Sequence, residues 1–533
     1  MAHHAHQHET FEDAPTVDGA WTFPYRAAGM GMFAIGLVGA LLTFWMFGGW
    51  RRFFLAYLTA YFFVLTICLG GLIFVMIQHQ FRAGWSVNIR RVPEALAANL
   101  RWLWVGLVPI ILTFFLPGMG GTPTLYPWAY TTNTHHADGD GGATHDQPHE
   151  EDADLASAPA SAPMPADLIT GAAGMDDPVD EAQAEGDAAH AEGEAAHADD
   201  EHALAADRPD ILTEIAISIE QAKHHTTFDH ITEAKTGWLN WPFFTLRMVI
   251  YFGVWAYLAL FYWNSSRKQD GITDPKAAAD LTRHVQWWTP IHIMAFALTL
   301  TFAGFDLVMS LDPHFFSTIF GGYLFAGSMV GGISTTILVY LFLRGKGLLV
   351  KDVTVEHYHD LGKLLFTFVF FWGYIAFSQF MLIWYANIPE TTYWFGVRGA
   401  TTVQANAYMG PWGDDASQPA GFGWWRIVIL TLLFAHLLIP FAALLSRHVK
   451  RNLGALAFLS GWMLVMHYVD IYWLIMPEML VGGWQLLPVV EVACLLMFGG
   501  LLIAATSGAL ANVKLRPTGD PRLPESMHLH QSF

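Results

Sequence analysis

Residues 453–477 read LGALAFLSGWMLVMHYVDIYWLIMP, a run in which His467 and Asp470 are the only histidine or charged side chains. A hydrocarbon layer about 30 Å thick takes about 20 apolar residues of helix at roughly 1.5 Å each, so this run is long enough to cross a membrane. Runs of the same kind recur through the 533-residue chain, each ended by charges, Pro or Gly. They fall at 28–49, 53–78, 102–119, 242–263, 286–309, 319–343, 364–387, 424–446, 452–476 and 487–511, and are numbered spans 1–10 in that order. The expected fold is an all-α polytopic membrane protein with about ten transmembrane helices. Composition agrees, because 14% of the residues are charged where soluble domains carry roughly 25%. Residues 1–24 are polar and His-rich and lack the basic segment and small-residue cleavage site of a secretory signal.

Loop charges set the expected orientation. The N-terminus, the loops after spans 2, 4, 6 and 8, and the C-terminus hold 19 of the 27 Lys and Arg. Basic loops stay in the cytoplasm, so both tails, 1–24 and 513–533, are expected there, around a multi-pass protein of the bacterial inner membrane. Between the blocks 25–119 (spans 1–3) and 241–512 (spans 4–10), the segment 120–240 then lies on the periplasmic side. Within it, residues 138–210 contain 21 acidic residues and one basic residue, Arg208. Such a stretch buries too little apolar area to offset its ordering entropy, and reads as a largely disordered spacer or a capture surface for a basic partner. Cys68 and Cys494 both fall inside apolar spans and cannot supply a four-thiolate iron–sulfur or zinc site, so no metal site is expected in this chain.

Two stretches repeat. Asp306-Leu-Val-Met-Ser-Leu-Asp-Pro313-His314 closes span 5 and Asp470-Ile-Tyr-Trp-Leu-Ile-Met-Pro477-Glu478 closes span 9; Arg247-Met-Val-Ile opens span 4 and Arg426-Ile-Val-Ile opens span 8. A shift of four spans preserves orientation, so the expected architecture is two parallel-repeat four-helix bundles, spans 2–5 and 6–9, flanked by spans 1 and 10.

Ionisable groups in lipid are costly and mark functional sites by default. His292, Thr299 and Asp306 recur every seven residues on span 5, which returns them to nearly one face. On span 9, Ser460, His467 and Asp470 share a face; His436 lies mid-way along span 8 and Glu491 in the outer part of span 10. Of these eight residues, all but Ser460 are the candidate proton path or quinol proton acceptors, since imidazoles and buried carboxyls exchange protons near neutrality. Arg247 and Arg426 read either as part of a quinone pocket or as interhelical ties to Asp306 and Asp470. His436 and His467, at comparable depth on successive spans, also admit a b-type haem.

Span 7 and its exit, Phe377-Ser-Gln-Phe-Met-Leu-Ile-Trp384-Tyr385-Ala-Asn387-Ile-Pro389-Glu390-Thr-Thr-Tyr-Trp394, and the stretch after span 2, Ala83-Gly-Trp-Ser-Val-Asn-Ile-Arg90-Arg91-Val-Pro-Glu94, resemble the NrfD-like membrane subunits of bacterial alternative complex III. The resemblance covers about 25–119 and 235–512, and the Arg90-Arg91 segment makes it closer to the ActF type than to the ActC type. It implies a subunit without its own redox metal in a respiratory quinol:cytochrome c (or high-potential iron–sulfur protein) oxidoreductase. Implied partners are a periplasmic iron–sulfur subunit, c-type cytochrome subunits carrying the haems, the sister ActC-type subunit, lipid and a terminal oxidase. Menaquinol or another quinone is the implied small molecule, and no nucleic acid is expected. The competing readings are a free-standing proton or ion transporter and a b-haem electron-transfer anchor. The two copies differ inside: Leu456 aligns with His292, and Ala303 with His467.

Overall fold

The computed structural model describes residues 14–47, 50–115, 125–129, 232, 234–400, 422–478 and 488–529. The acidic segment 138–210, the histidines of the first ten residues and the end of the anticipated span 3 lie outside the described residues.

Among the described residues, ten helices are long and apolar enough to cross a membrane: Gly19–Trp45, Arg51–Gln80, Arg91–Leu112, Trp241–Gln269, Pro275–Leu311, Phe320–Gly345, Val355–Ala386, Trp424–Leu445, Leu453–Glu478 and Val489–Leu510. The protein is an all-α, multi-pass membrane protein. Several helices outrun their apolar windows, because charge ends the hydrocarbon but not the helix; Asn240 and Asp274 cap spans 4 and 5 from just outside, each followed by a Pro in the first turn. Span 3 differs most from the sequence reading. It begins eleven residues early, at Arg91 rather than 102, with the helix Arg91–Ala98 wholly buried. Arg90 binds Glu94 (2.9 Å) and Asp520 (2.8 Å), and Arg91 binds Asp270 (2.5 Å) and Ser266 (3.0 Å), so the basic pair is neutralised inside the protein.

Spans 2 and 6 form the centre. Of its most apolar window, 89% is buried in span 2 and 22% in span 1. Span 2 packs against spans 5, 6, 9 and 10, and span 6 against spans 2, 5, 7 and 9; span 1 lies along span 10. Spans 2 and 6 approach until backbone meets backbone, and a methyl on Gly70 would overlap the Ser328 carbonyl. Only glycine permits that approach. Cys68 and Cys494 are buried and free.

The two ends of the described chain meet on one side. There Thr16 and Val17 pair antiparallel with Lys514 and Val513, and the segment after them runs under the helix ends, with Ser526 accepting from the Asn88 amide (3.2 Å) and Asp520 joined to Arg90. Burial alone would raise the Asp520 pKa, but the Arg90 guanidinium outweighs it and holds the carboxyl below its ordinary value. A depressed folded pKa gives stability that is present above the unfolded value, about 3.9, and lost as pH falls below it. The tail is therefore expected to resist proteolysis at neutral pH and to become cleavable below about pH 4. Asp520→Asn should expose it at neutral pH by removing about 3 kcal/mol of docking. Mass spectrometry of limited digests checks both.

Candidate functional site

The two repeated aspartates have different surroundings. Asp306, at the end of span 5, receives Arg247 Nε at 2.7 Å and Nη2 at 2.8 Å, the Tyr251 hydroxyl at 2.9 Å and Trp238 Nε1 at 3.0 Å. The Arg247 guanidinium lies against Trp238 and Phe243, 4.2 and 4.4 Å from the ring centroids. This carboxylate is fully paired. Arg247 is thus an interhelical tie, and its aromatic cover shields the pair from lipid.

Asp470 is also buried, but its partners are the Tyr323 hydroxyl on Oδ1 and Trp372 Nε1 on Oδ2 at 3.2 Å. Each aspartate has a Tyr and a Trp; only the first has an Arg. The expected Arg426–Asp470 tie does not form, because the Arg426 side chain is exposed at the start of span 8. Asp470 takes neutral donors from spans 6 and 7 instead.

His467 sits one turn inward of Asp470. Its Nε2 lies 2.9 Å from Thr66 Oγ1 on span 2, and that hydroxyl also stands 2.8 Å from the Phe63 carbonyl. With the Thr66 hydrogen on the Phe63 carbonyl, Nε2 carries the ring proton and Nδ1 keeps a lone pair. Nδ1 is buried and has no hydrogen-bond partner. A methyl on Gly327 would stand 3.4 Å from this nitrogen and 3.8 Å from Asp470 Oδ2, so the lone pair and the carboxyl border one spot left clear by a missing side chain. His436 completes the cluster. Its ring lies 3.8 Å from the Trp372 ring that also binds Asp470, and both its nitrogens are buried and unpartnered. Ser460, a further two turns inward on span 9, is likewise buried with its hydroxyl unpartnered. Buried polar atoms without partners are uncommon and need a reason.

The local backbone is also unusual. His436 lies in a π-helical turn, Leu432–Leu438, inside span 8. Pro440 has no N–H for the His436 carbonyl four residues back, which weakens the α-helical pattern there. Such turns re-aim a side chain and gather at functional sites. Asn387 ends span 7 in the left-handed conformation (φ 49°), and the following helix Pro389–Val397 brings Trp394 onto Phe315 at 4.1 Å and Arg398 onto Glu478 at 2.5 Å.

The remaining candidates do not join this cluster. His292 Nδ1 meets the Tyr262 hydroxyl at 3.1 Å, and Thr299 accepts from Trp255 Nε1 at 2.9 Å. Together with Arg247–Asp306 they form a ladder between spans 4 and 5, and no hydrogen bond links one rung to the next among the described residues. The stripe seen in sequence is a zip. Glu491 pairs with Arg52 at 3.0 Å, with Oε2 left buried and unpartnered. Of the two imidazoles that the b-haem alternative would use, His467 has Nε2 against Thr66 Oγ1 and His436 packs on the Trp372 ring. No group of His, Cys, Asp and Glu suited to a metal ion occurs among the described residues. Sequence reading missed Tyr323, Trp372, Thr66 and Gly327; His436 followed by Pro440 was the one local signal of the distorted turn.

Neither known protein families nor curated proteins provide a match to this chain.

Removing a partner from a buried ion pair costs roughly 3–5 kcal/mol, while replacing a neutral hydrogen bond costs about 1. Arg247→Met is therefore expected to destabilise the protein severely in thermal unfolding, and Asp470→Asn only slightly. Equal losses would contradict the assignment of the two aspartates.

Proposed function

We propose that this chain is a membrane subunit of a quinol-oxidising respiratory complex of the alternative complex III kind, and that spans 6–9 hold its proton-handling site. The observation that carries this reading is the contrast at the repeated aspartates. A carboxylate buried without a cation is unstable in a hydrocarbon surround, so Asp470 rests as the neutral acid and ionises transiently. His467 Nδ1 is the adjacent acceptor in the tautomer that protonates Nε2. His436, aimed by the π-helical turn onto Trp372, is the second proton-accepting group. The three together suit the loss of two protons that accompanies quinol oxidation, or the onward movement of protons released in a neighbouring subunit.

The chain supplies no redox metal in this reading. Electrons pass through the iron–sulfur and c-type cytochrome partners implied by the resemblance, and the sister subunit shares the membrane arm. Spans 2–5 provide the rigid half against which the site is held, through the Thr66–His467 bond. The bacterial inner membrane, with both tails cytoplasmic, is the location that loop charge supports.

The test is quinol turnover and proton release by the intact complex. Asp470→Asn and His467→Gln are expected to lower both by roughly 100-fold, the scale of a lost positioned acid or base. A free-standing transporter would instead move protons in vesicles without any redox partner, which separates the competing reading. Full turnover in Asp470→Asn would refute the proposal. Gly327→Ala keeps every ionisable group but fills the spot between Nδ1 and Oδ2, and should slow proton release at least tenfold if that spot is used.

A further inference from the structure

At the end of the molecule where spans 7 and 9 begin, the connection between spans 8 and 9 is the short basic helix Arg447–Arg451. Its charges are unevenly answered. Arg451 pairs with Glu356 at 2.5 Å and Lys363, on span 7, with Asp360 at 2.5 Å. Lys450 and Arg447 have no carboxylate partner among the described residues. Lys450 is nonetheless buried, 8% exposed, with its stem laid across Gly362 of span 7 and its ammonium offered only the Leu445 carbonyl at 3.4 Å. Burial and then Lys363 push its pKa down from the ordinary value, the mark of a cation short of negative charge. Arg447 is exposed beside it.

From this ammonium an apolar track leads toward the middle of the membrane. Lys450 Nζ stands 5.5 Å from the Phe366 centroid, Phe366 stacks on Phe441 at 5.1 Å, and Phe441 lies 5.8 Å from Phe370. Phe370 is 54% exposed. The track follows the seam between spans 7 and 8, which are the least buried spans after span 1. Unanswered positive charge at the head and aromatic rings along the seam match one class of molecule present in every such membrane. A zwitterionic headgroup would bring its own cation to the same place, and a soluble anion would leave the track uncovered.

We propose that the seam between spans 7 and 8 is a docking groove for an anionic phospholipid. Its phosphodiester sits against Lys450 and Arg447, with Lys363 at the rim, and one acyl chain lies along Phe366, Phe441 and Phe370. Loop charge places this end at the cytoplasmic leaflet, where anionic lipids attract basic residues. The inference is independent of the proton-handling site.

The experiment is native mass spectrometry of the full chain, purified in detergent, with phosphatidylglycerol, phosphatidylcholine of the same acyl chains, and sn-glycerol 3-phosphate. Two basic groups should give phosphatidylglycerol roughly thirtyfold tighter binding than phosphatidylcholine, and glycerol phosphate should not be retained. Arg447→Gln, at an exposed position that leaves the fold intact, should reduce the preference roughly fivefold. Lys450→Gln with Arg447→Gln should abolish it, and Lys450→Arg should keep it. Equal binding of the two lipids by the natural sequence, an undiminished preference in Arg447→Gln, or retention of glycerol phosphate as strongly as lipid would each overturn the proposal.

Discussion

A carboxyl group surrounded by hydrocarbon needs a cation, a set of hydrogen-bond donors or a proton, and the arrangement of this protein follows from meeting that need in two ways. Asp306 has a cation, and becomes a fixture. Asp470 has two neutral donors, Tyr323 and Trp372, and shares the space at Gly327 with the unpartnered Nδ1 of His467. The first arrangement ties helices together. The second leaves a buried carboxyl with hydrogen-bond donors and no cation beside it.

Both arrangements rest on the same scaffold. Each aspartate is near the C-terminal end of the last span of a four-helix unit, each has a Tyr and a Trp, and each helix closes in a tight 3₁₀ turn, Met309–Leu311 or Met476–Glu478. What separates the copies is the Arg. Arg247 turns inward beneath Trp238, while Arg426 remains exposed. The unit built on spans 2–5 then offers a stable wall, and spans 2 and 6 meet at Gly70, Ser328 and Gly332 so closely that His467 on span 9 can reach Thr66 on span 2. Glycine at that crossing makes the bond between the two units possible.

Much of the architecture was readable in advance, for a physical reason. Hydrocarbon demands long unbroken apolar helices, so spans declare themselves in composition, and the recurring Asp and Arg disclosed the duplication. Span 3 was misjudged because Arg90 and Arg91 look like a solvated loop until Asp270 and Asp520, distant in sequence, neutralise them. The same limit applied to the site. Spacing placed His292, Thr299 and Asp306 on one face and could not reveal that Tyr262, Trp255 and Arg247 close each of them separately. Spacing likewise made Arg426 the natural partner of Asp470, because helix rotation is absent from a linear pattern. Pro440 signals the distorted turn at His436, and the contact of the ring with Trp372 on span 7 is not written in that local pattern.

The central claim is that Asp470, and not Asp306, is the carboxyl that exchanges its proton. Infrared difference spectroscopy of the intact protein, between oxidised and reduced quinone pools, measures this directly through the protonated-carboxyl stretch. The account predicts one such band, shifted in heavy water, absent from Asp470→Asn and retained in Asp306→Asn. A band that survives Asp470→Asn, or one that disappears with Asp306→Asn instead, would contradict it.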